Sequence, residues 1–492
     1  MSFPYLTAII FLPLAGAIII ALLRDISPGV IKRLAAIFTF IPVVLSIVVF
    51  VLFDRSLGAA GVVQFEESIS WIPALNAYYH LGVDGINLPL VVLTAILGFL
   101  VVLISWKIDL RPRQYFAWLL LLETSILGVF CSLDLLLFFL FWEIEVIPMY
   151  FLISIWGTGR KEYSAIKYVV YTLFGSALML AGILSLYFTT GSLSMLDMAQ
   201  SGLAPFRAVI PAVAIFFLLF VGFAVKLPVF PLHTWLPDAH TDAPTAGSVM
   251  LAGALIKMGG YGMIRVCVSI FPDIARNYVT IVLVLAVISV LYGAAVTLKQ
   301  TDVKRLIAYS SISHMGYVLL GVFALTRVGM TGATLQMFSH GFVTGLLFAV
   351  AGLLIHNVHE RDLRKLGGLA RQMPIIAVIF SVAGLASLGL PTTSGFAAEF
   401  LVFVGSFSST VVGGMYIYTL LCVLGVVLAA GYILWMIQRV FYGPVLEQYN
   451  GVADADKLER VSMFIFIAII MLVGIYPAIL TDVIKLGIAP IL

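Results

Sequence analysis

Apolar residues in this chain fall into runs of about twenty, separated by short polar segments. A helix needs about 20 apolar residues to cross ~30 Å of hydrocarbon, and its backbone N–H and C=O groups must pair within the segment. The runs therefore predict an all-α polytopic membrane protein with about fourteen transmembrane helices. The predicted helices cover residues 4–23, 34–53, 83–105, 115–133, 135–157, 164–188, 209–235, 246–270, 278–297, 306–325, 333–355, 374–407, 412–436 and 461–480.

Composition supports a membrane protein and argues against bound cofactors. Of the 492 residues, 62% are hydrophobic and only 10% are charged, whereas soluble domains have about 25% charged residues. The three cysteines stand alone without CxxC spacing, which argues against iron–sulfur or zinc sites. The sequence has neither a glycine-rich nucleotide motif nor a basic run for nucleic acid. The first apolar run has no charged leader and is expected to be a retained helix.

Basic residues are unevenly distributed between alternate loops. Loops after odd-numbered helices hold nineteen of the 27 basic residues, whereas loops after even-numbered helices and the C-terminal tail hold six. The positive-inside rule places the first set of loops in the cytoplasm and both termini on the outer side. The remaining two basic residues, Lys226 and Lys257, lie inside apolar helices.

Ionisable residues inside transmembrane helices are the candidate functional groups. A charge at the bilayer centre costs at least ~2.5–3.5 kcal/mol, so such residues tend to face the protein interior and to be functional. The two lysines are joined by Glu143, His314, His340 and Glu399, and more weakly by His233, a candidate for proton uptake from one side. We expect Lys226 to pair with Glu143. We also expect these buried ionisable residues together to form a proton relay.

Each candidate also has a structural interpretation. A lysine could extend from a helix end to the membrane surface, and a buried histidine could be a hydrogen-bonded core residue. Glu145 is two positions from Glu143 and is expected on another helix face, as a secondary or merely hydrogen-bonded group. Glu123 is expected to be buried but has no assigned role.

Two of the predicted helices contain breaks. Helix seven has prolines at 228, 231 and 237, and helix twelve is interrupted at Pro391–Gly395. Proline removes a backbone donor and disfavours the preceding helical turn. The two helices are five apart, which predicts two inverted five-helix repeats with discontinuous helices seven and twelve; two unrelated proline kinks are the alternative. The predicted domains are 1–114, 115–270 (first repeat), 278–436 (second repeat) and 437–492.

Several long motifs occur in a familiar order. WEIEVIPMYFLISIWG, FAVKLPVFPLHTWLPDAHTDAPTAGS, LAGALIKMGGYG, TDVKRLIAYSSISHMGYV, QMFSHG and GFAAEF closely resemble the M-type (chain 4) subunit of proton-pumping NADH:quinone oxidoreductase, respiratory complex I, and of the similar photosynthetic complex. The likeness covers roughly residues 70–445. It implies a subunit of a translocase, with Glu143, Lys226, Lys257, His314, His340 and Glu399 as its proton relay.

The resemblance also implies the setting of the subunit. It would lie in the membrane arm beside L-type and N-type antiporter-like subunits, small helical subunits and lipids, in a bacterial cytoplasmic, thylakoid or inner mitochondrial-type membrane. NADH, FMN, iron–sulfur clusters and quinone would be bound by partner subunits, and this chain would carry no redox chemistry.

Three alternatives remain open. A ferredoxin- or hydrogenase-fed complex could contain a very similar subunit. A multisubunit cation/proton antiporter could also contain such a subunit. Glu399 favours the M-type, because the related L- and N-type subunits and the antiporter subunits usually have lysine at this position. A non-conducting scaffold is the third.

Overall fold

A computed structural model describes residues 3–23, 26–201 and 209–492 of the chain. Arg24 and Arg207, two of the basic residues counted in the charge bias, lie outside the described residues. The α-helices, in chain order, are α1 (Tyr5–Leu22), α2 (Pro28–Leu52), α3 (Arg55–Ala59), α4 (Leu88–Ile104), α5 (Pro112–Cys131), α6 (Leu135–Ile144), α7 (Val146–Trp156), α8 (Lys161–Thr190), α9 (Met195–Ser201), α10 (Ala212–Lys226), α11 (Trp235–Asp242), α12 (Thr245–Met250), α13 (Lys257–Gly262), α14 (Pro272–Asn277), α15 (Val279–Thr297), α16 (Val303–Phe323), α17 (Arg327–Val358), α18 (Pro374–Ser387), α19 (Ser394–Phe407), α20 (Met415–Phe441), α21 (Lys457–Ile475) and α22 (Ala478–Ile488).

Shorter elements connect some of these helices. Two π-helical segments, Leu251–Leu255 and Met263–Val268, flank α13 and make one continuous stretch with α12. Further 3₁₀ turns lie in loops, at Pro73–Leu75, Leu369–Arg371 and Glu447–Tyr449.

Many of the helical stretches are long and apolar enough to cross a membrane. Eleven such stretches occur in the described residues, one joining α6 to α7 and one running over Thr245–Val268. Four shorter apolar helices, α4, α10, α18 and α19, accompany them in the same described ranges. The prediction of a largely helical, polytopic membrane protein is therefore confirmed.

The breaks predicted in helices seven and twelve are present. The first lies between α10, which ends at Lys226, and α11, which begins at Trp235. The second lies between α18, which ends at Ser387, and α19, which begins at Ser394. Proline accounts for the first break, because two prolines in the gap cannot donate backbone hydrogen bonds.

The prediction of an all-α chain missed one hairpin. Strands β1 (Gln64–Ile72) and β2 (Ala77–Val83) pair antiparallel between α3 and α4. The Glu67 carboxylate of β1 accepts hydrogen bonds from the backbone N–H groups of Leu6 and Thr7 at 2.8 and 3.1 Å, so the hairpin satisfies free donors at the start of α1. Each strand is too short to be recognised as a membrane segment.

Three helical stretches form the centre of the bundle. The apolar windows of Thr245–Val268, α16 and α17 are 100%, 94% and 94% buried, whereas those of α2 and α8 are only 28% and 39% buried. All five stretches are apolar, but the first three face protein on every side. Ionisable residues on them are therefore shielded from lipid.

The C-terminal segment differs from the single helix predicted over residues 461–480. It forms two helices, α21 and α22, which are separated at Tyr476–Pro477. The second helix packs on the segment after β2, where a Cβ atom on Gly85 would lie 2.0 Å from the Val483 carbonyl oxygen. Only glycine permits this approach of the two backbones.

Candidate functional site

Lys226 is the last residue of α10, beside the first helix break. Its side chain is only 1% exposed, and its ammonium group forms an ion pair with the fully buried carboxylate of Glu145. Glu145 is itself at a break, since α6 ends at Ile144 and α7 begins at Val146. Two helix interruptions thus bring a cation and an anion together inside the bundle.

Aromatic side chains surround this ion pair. The Tyr168 hydroxyl donates a 2.5 Å hydrogen bond to Glu145. The Lys226 ammonium lies 5.6 Å from the centroid of the Trp142 ring and 5.4 Å from that of the Tyr168 ring, within the range of a cation–π contact. Trp235, at the start of α11, donates a 2.9 Å hydrogen bond to the Val225 carbonyl oxygen across the break. These contacts hold the pair in one geometry.

Glu143 does not form the ion pair predicted from the sequence. It is partly exposed, and its buried Oε1 atom has no hydrogen-bond partner among the described residues. The cause is the break at residue 145, which directs Glu145 rather than Glu143 towards Lys226. The predicted pairing of Lys226 with Glu143 is therefore wrong. Glu145, expected as a secondary or merely hydrogen-bonded group, is the carboxylate that pairs with Lys226.

Lys257 lies on the central stretch, directly after the first π-helical segment. Its ammonium group donates to the Ala252 carbonyl oxygen within the same stretch and lies 2.9 Å from Nδ1 of His340 on α17. A π-helical turn is wider than an α-helical one and is frequent at functional sites. Lys257 and His340, two residues of the predicted relay, are therefore in contact at the middle of the bundle.

His314 and Glu399 form a second polar pair beside the second helix break. His314 Nδ1 of α16 lies 3.1 Å from Glu399 Oε1 of α19, and His314 Nε2 lies 3.3 Å from the Ser387 hydroxyl at the end of α18. Glu399 is 5% exposed. The loosened backbone between α18 and α19 leaves room for this carboxylate beside the central helices.

His233, the weaker candidate, has an aromatic rather than a polar environment. Its ring lies 5.6 Å from the Phe230 ring and 5.1 Å from the Tyr292 ring. Neither of its nitrogens has a hydrogen-bond partner among residues 3–23, 26–201 and 209–492. These contacts place it within the first break but show no link to Lys226.

His240 is a buried polar residue that was not among the predicted candidates. It lies on α11, its ring is stacked on Phe348 at a centroid distance of 4.5 Å, and it is fully buried. Both ring nitrogens lack partners in the described part of the chain. The signal was available, because the histidine stands among polar residues in PDAHTDAP immediately after the predicted break.

Charged residues from both halves of the chain surround the same half-helix. Asp238 of α11 lies 2.7 Å from the Lys167 ammonium of α8 and 3.5 Å from the Arg305 guanidinium of α16. Arg361 bonds Asp302, just before α16, at 2.8 Å, and burial raises the pKa of the Asp302 carboxyl. Asp238 of this cluster is two residues from His240 on the same helix.

Glu123 remains without an assigned role. Both carboxyl oxygens are buried and have no hydrogen-bond partner within the described ranges. The carboxyl group of this α5 residue faces Gly98 of α4, where an added Cβ atom would lie 2.2 Å from the carboxyl carbon. The glycine provides the space that the carboxyl group occupies.

Comparison with known proteins identifies the family. Residues 132–427 match the family described as "NADH:quinone oxidoreductase/Mrp antiporter, TM". The chain belongs to this family. The matched residues include both helix breaks and every candidate relay residue, and they exclude the β-hairpin and the two C-terminal helices.

Individual relatives match over almost the whole chain. A Synechococcus elongatus protein named NAD(P)H-quinone oxidoreductase chain 4 is 40% identical over 98% of this chain and 90% of its own length. NADH-quinone oxidoreductase subunit M of Rhodobacter capsulatus is 38% identical over 98% of this chain and 95% of its own length. A chain of respiratory complex I from Thermus thermophilus superposes with a TM-score of 0.88 over 99% of both chains, at 27% identity. The resemblance to M-type subunits is confirmed.

Proposed function

We propose that the chain is the proton-translocating M-type subunit of the membrane arm of an NADH:quinone oxidoreductase. The supporting observation is the series of buried ionisable groups, from the Glu145–Lys226 pair through Lys257 to His314 and Glu399, in a member of this family. The chain carries no redox chemistry itself. Electron transfer through NADH, FMN, iron–sulfur clusters and quinone takes place in partner subunits.

The ion pair between Lys226 and Glu145 is strong enough for its breaking to drive proton movement. Breaking a buried ion pair by removing one partner costs about 3–5 kcal/mol. Moving one elementary charge against 100 mV costs ~2.3 kcal/mol. A conformational change that separates Lys226 from Glu145 can therefore drive one proton against a membrane potential of ordinary size.

The proton path follows the buried groups. Protons enter through the first half of the chain and reach Lys257, which contacts His340 at 2.9 Å. They then move through His340 and His314 to Glu399 and leave on the opposite side. Lys226 controls this movement through its charge, and Glu143 and the more weakly supported His233 supply protons to the first half.

The fold proposed for this function has fourteen spans in two inverted repeats. The eleven long stretches, α4, the α10–α11 pair and the α18–α19 pair account for the fourteen. Both broken helices fall at matching positions of residues 115–270 and 278–436. The charge bias supports an orientation with both termini on the outer side.

The partners are the neighbouring antiporter-like subunits of L-type and N-type, small helical subunits and lipids. Two electron donors, NADH and reduced ferredoxin, are candidates for the complex. Relatives named for NAD(P)H-quinone and for NADH-quinone oxidoreductases are almost equally similar to this chain. A ferredoxin-fed complex is the second candidate setting, because the sequence motifs also resemble those of the photosynthetic complex.

The test is the number of protons moved per electron by the complete complex in sealed vesicles, with NADH and reduced ferredoxin supplied separately. Lys226→Ala should lower this ratio, because Glu145 loses its counter-ion, whereas Lys299→Ala, at an exposed lysine, should not. An unchanged ratio in Lys226→Ala would favour the scaffold alternative. Proton movement driven by a sodium gradient without an electron donor would favour the antiporter.

A further inference from the structure

The buried polar groups of the second half leave one gap. His340 uses Nδ1 to contact Lys257, and His314 uses Nδ1 to contact Glu399. The two imidazole rings are 5.6 Å apart between centroids, and no hydrogen bond joins them directly. A proton passing from Lys257 to Glu399 needs a carrier between the rings.

A small polar cavity lies at this gap. The space open to the centre of a water molecule is about 10 Å³, and one water needs roughly 10–15 Å³ on this measure. Two of its lining residues contribute buried atoms without a hydrogen-bond partner in the described residues, Oε1 of Gln336 and Nε2 of His340. The polar residues that line the cavity are His314, Gln336, Ser339, His340, Thr344, Ser387 and Glu399.

The neighbouring contacts determine which nitrogen carries the proton. The Lys257 ammonium donates to Nδ1 of His340, so neutral His340 carries its proton on Nε2 and requires an acceptor there. An ionised Glu399 accepts from Nδ1–H of His314, which leaves His314 Nε2 as an acceptor beside the Ser387 hydroxyl. A donor nitrogen and an acceptor nitrogen therefore belong to the two histidines that line the same cavity.

We propose that Gln336 is a positioning residue that holds one water molecule in this cavity as the proton carrier between His340 and His314. The inference rests on the proposed function. A buried water commonly makes about three hydrogen bonds to otherwise unsatisfied polar groups. Here it accepts from Nε2–H of His340 and donates to Gln336 Oε1 and to His314 Nε2.

The transfer then balances at each atom. Lys257 gives a proton to Nδ1 of His340, which becomes an imidazolium. Its Nε2–H bond breaks as the water takes that proton, and the water gives one of its own protons to Nε2 of His314. The Nδ1 proton of His314 passes to Glu399. Each histidine gains a proton on one nitrogen and loses one from the other, and the water is restored.

Gln336→Met, in the complete complex in vesicles, tests this assignment because methionine has a similar length but no amide. The portion of proton translocation that depends on Lys226 should slow by up to roughly tenfold, the rate equivalent of losing one strong neutral hydrogen bond. Gln336→Glu keeps an acceptor oxygen in place and should recover at least half of the wild-type rate. Thr334→Val is the matched control, since it removes a buried hydroxyl from the same helix away from the cavity.

The outcomes separate a positioning role from a structural one. Slow pumping in Gln336→Met, recovery in Gln336→Glu and normal pumping in Thr334→Val support the proposal, as does an ordered water in this cavity at high resolution. Wild-type pumping in Gln336→Met, equal losses in Gln336→Met and Thr334→Val, or a dry cavity would overturn it. If Lys226→Ala pumps normally, the proposed function itself fails; if Lys226→Ala is impaired and Gln336→Met is not, only the assignment of Gln336 fails.

Discussion

Replacing Glu145 with glutamine should impair proton translocation more than the same change at Glu143. Both substitutions remove one carboxylate from the same short segment and preserve its size. Only Glu145→Gln removes the counter-ion of Lys226, because Glu145 forms the ion pair and Glu143 does not. The two variants are therefore matched in chemistry and differ in the contact that is lost.

The expected size of the effect follows from burial. Lys226 is 1% exposed and Glu145 is fully buried, and leaving one member of such a pair without its partner costs about 3–5 kcal/mol. At 1.36 kcal/mol per factor of ten, this loss corresponds to a rate decrease of roughly two to four orders of magnitude at the step that requires charged Lys226. In Glu145→Gln the Tyr168 hydroxyl can still donate to the amide oxygen of the new side chain, so the local packing should persist.

The assay is proton movement per electron in vesicles that contain the complete complex, with the amount of assembled complex measured alongside. Glu145→Gln should lose the portion of pumping that Lys226→Ala loses, whereas Glu143→Gln should keep more of it. The reverse ranking, with Glu143→Gln inactive and Glu145→Gln normal, would refute the assignment of Glu145 as the partner of Lys226.

Two further predictions concern neighbouring contacts. Tyr168→Phe removes the 2.5 Å hydrogen bond to Glu145. Such a bond to a charged group contributes about 1.5–3 kcal/mol, so pumping should slow at least tenfold while the complex assembles normally. An equal loss of assembled complex would indicate a structural role instead. Arg265→Met leaves Asp84 without the guanidinium that bonds it at 2.5 Å. The unpaired carboxylate should cost about 3–5 kcal/mol and lower the temperature at which the complex dissociates, while pumping per assembled complex stays unchanged. Unchanged thermal stability would contradict this prediction.

Much of the membrane fold could be predicted because the length of an apolar run and the position of a proline determine helix spans and helix breaks within the same segment of sequence. Lys226 and Ser387 end helices close to the prolines that the sequence shows. The hairpin could not be predicted in the same way, since β1 and β2 are short and are stabilised by the contact of Glu67 with the distant start of α1. Pairing between distant segments leaves no periodic signal in a single sequence.

The candidate site was predicted by residue type more accurately than by partner. Lys257 with His340, and His314 with Glu399, are in contact. The first three of these residues lie on the central stretches, and Glu399 lies on α19 beside the second helix break. The partner of Lys226 depended on which way the chain turns at residue 145, and a two-residue difference changes the helix face. Gln336 carries no charge, so its place in an apolar helix gives no signal of an ionisable group.

Lys257 offers the most direct test of the central claim, because it lies between the two halves of the proposed path and contacts His340 at 2.9 Å. The measurement is the number of protons moved per electron by the reconstituted complex carrying Lys257→Met. We expect a lower ratio with normal assembly. A ratio equal to that of the unmodified complex would mean that protons do not pass through the centre of this subunit.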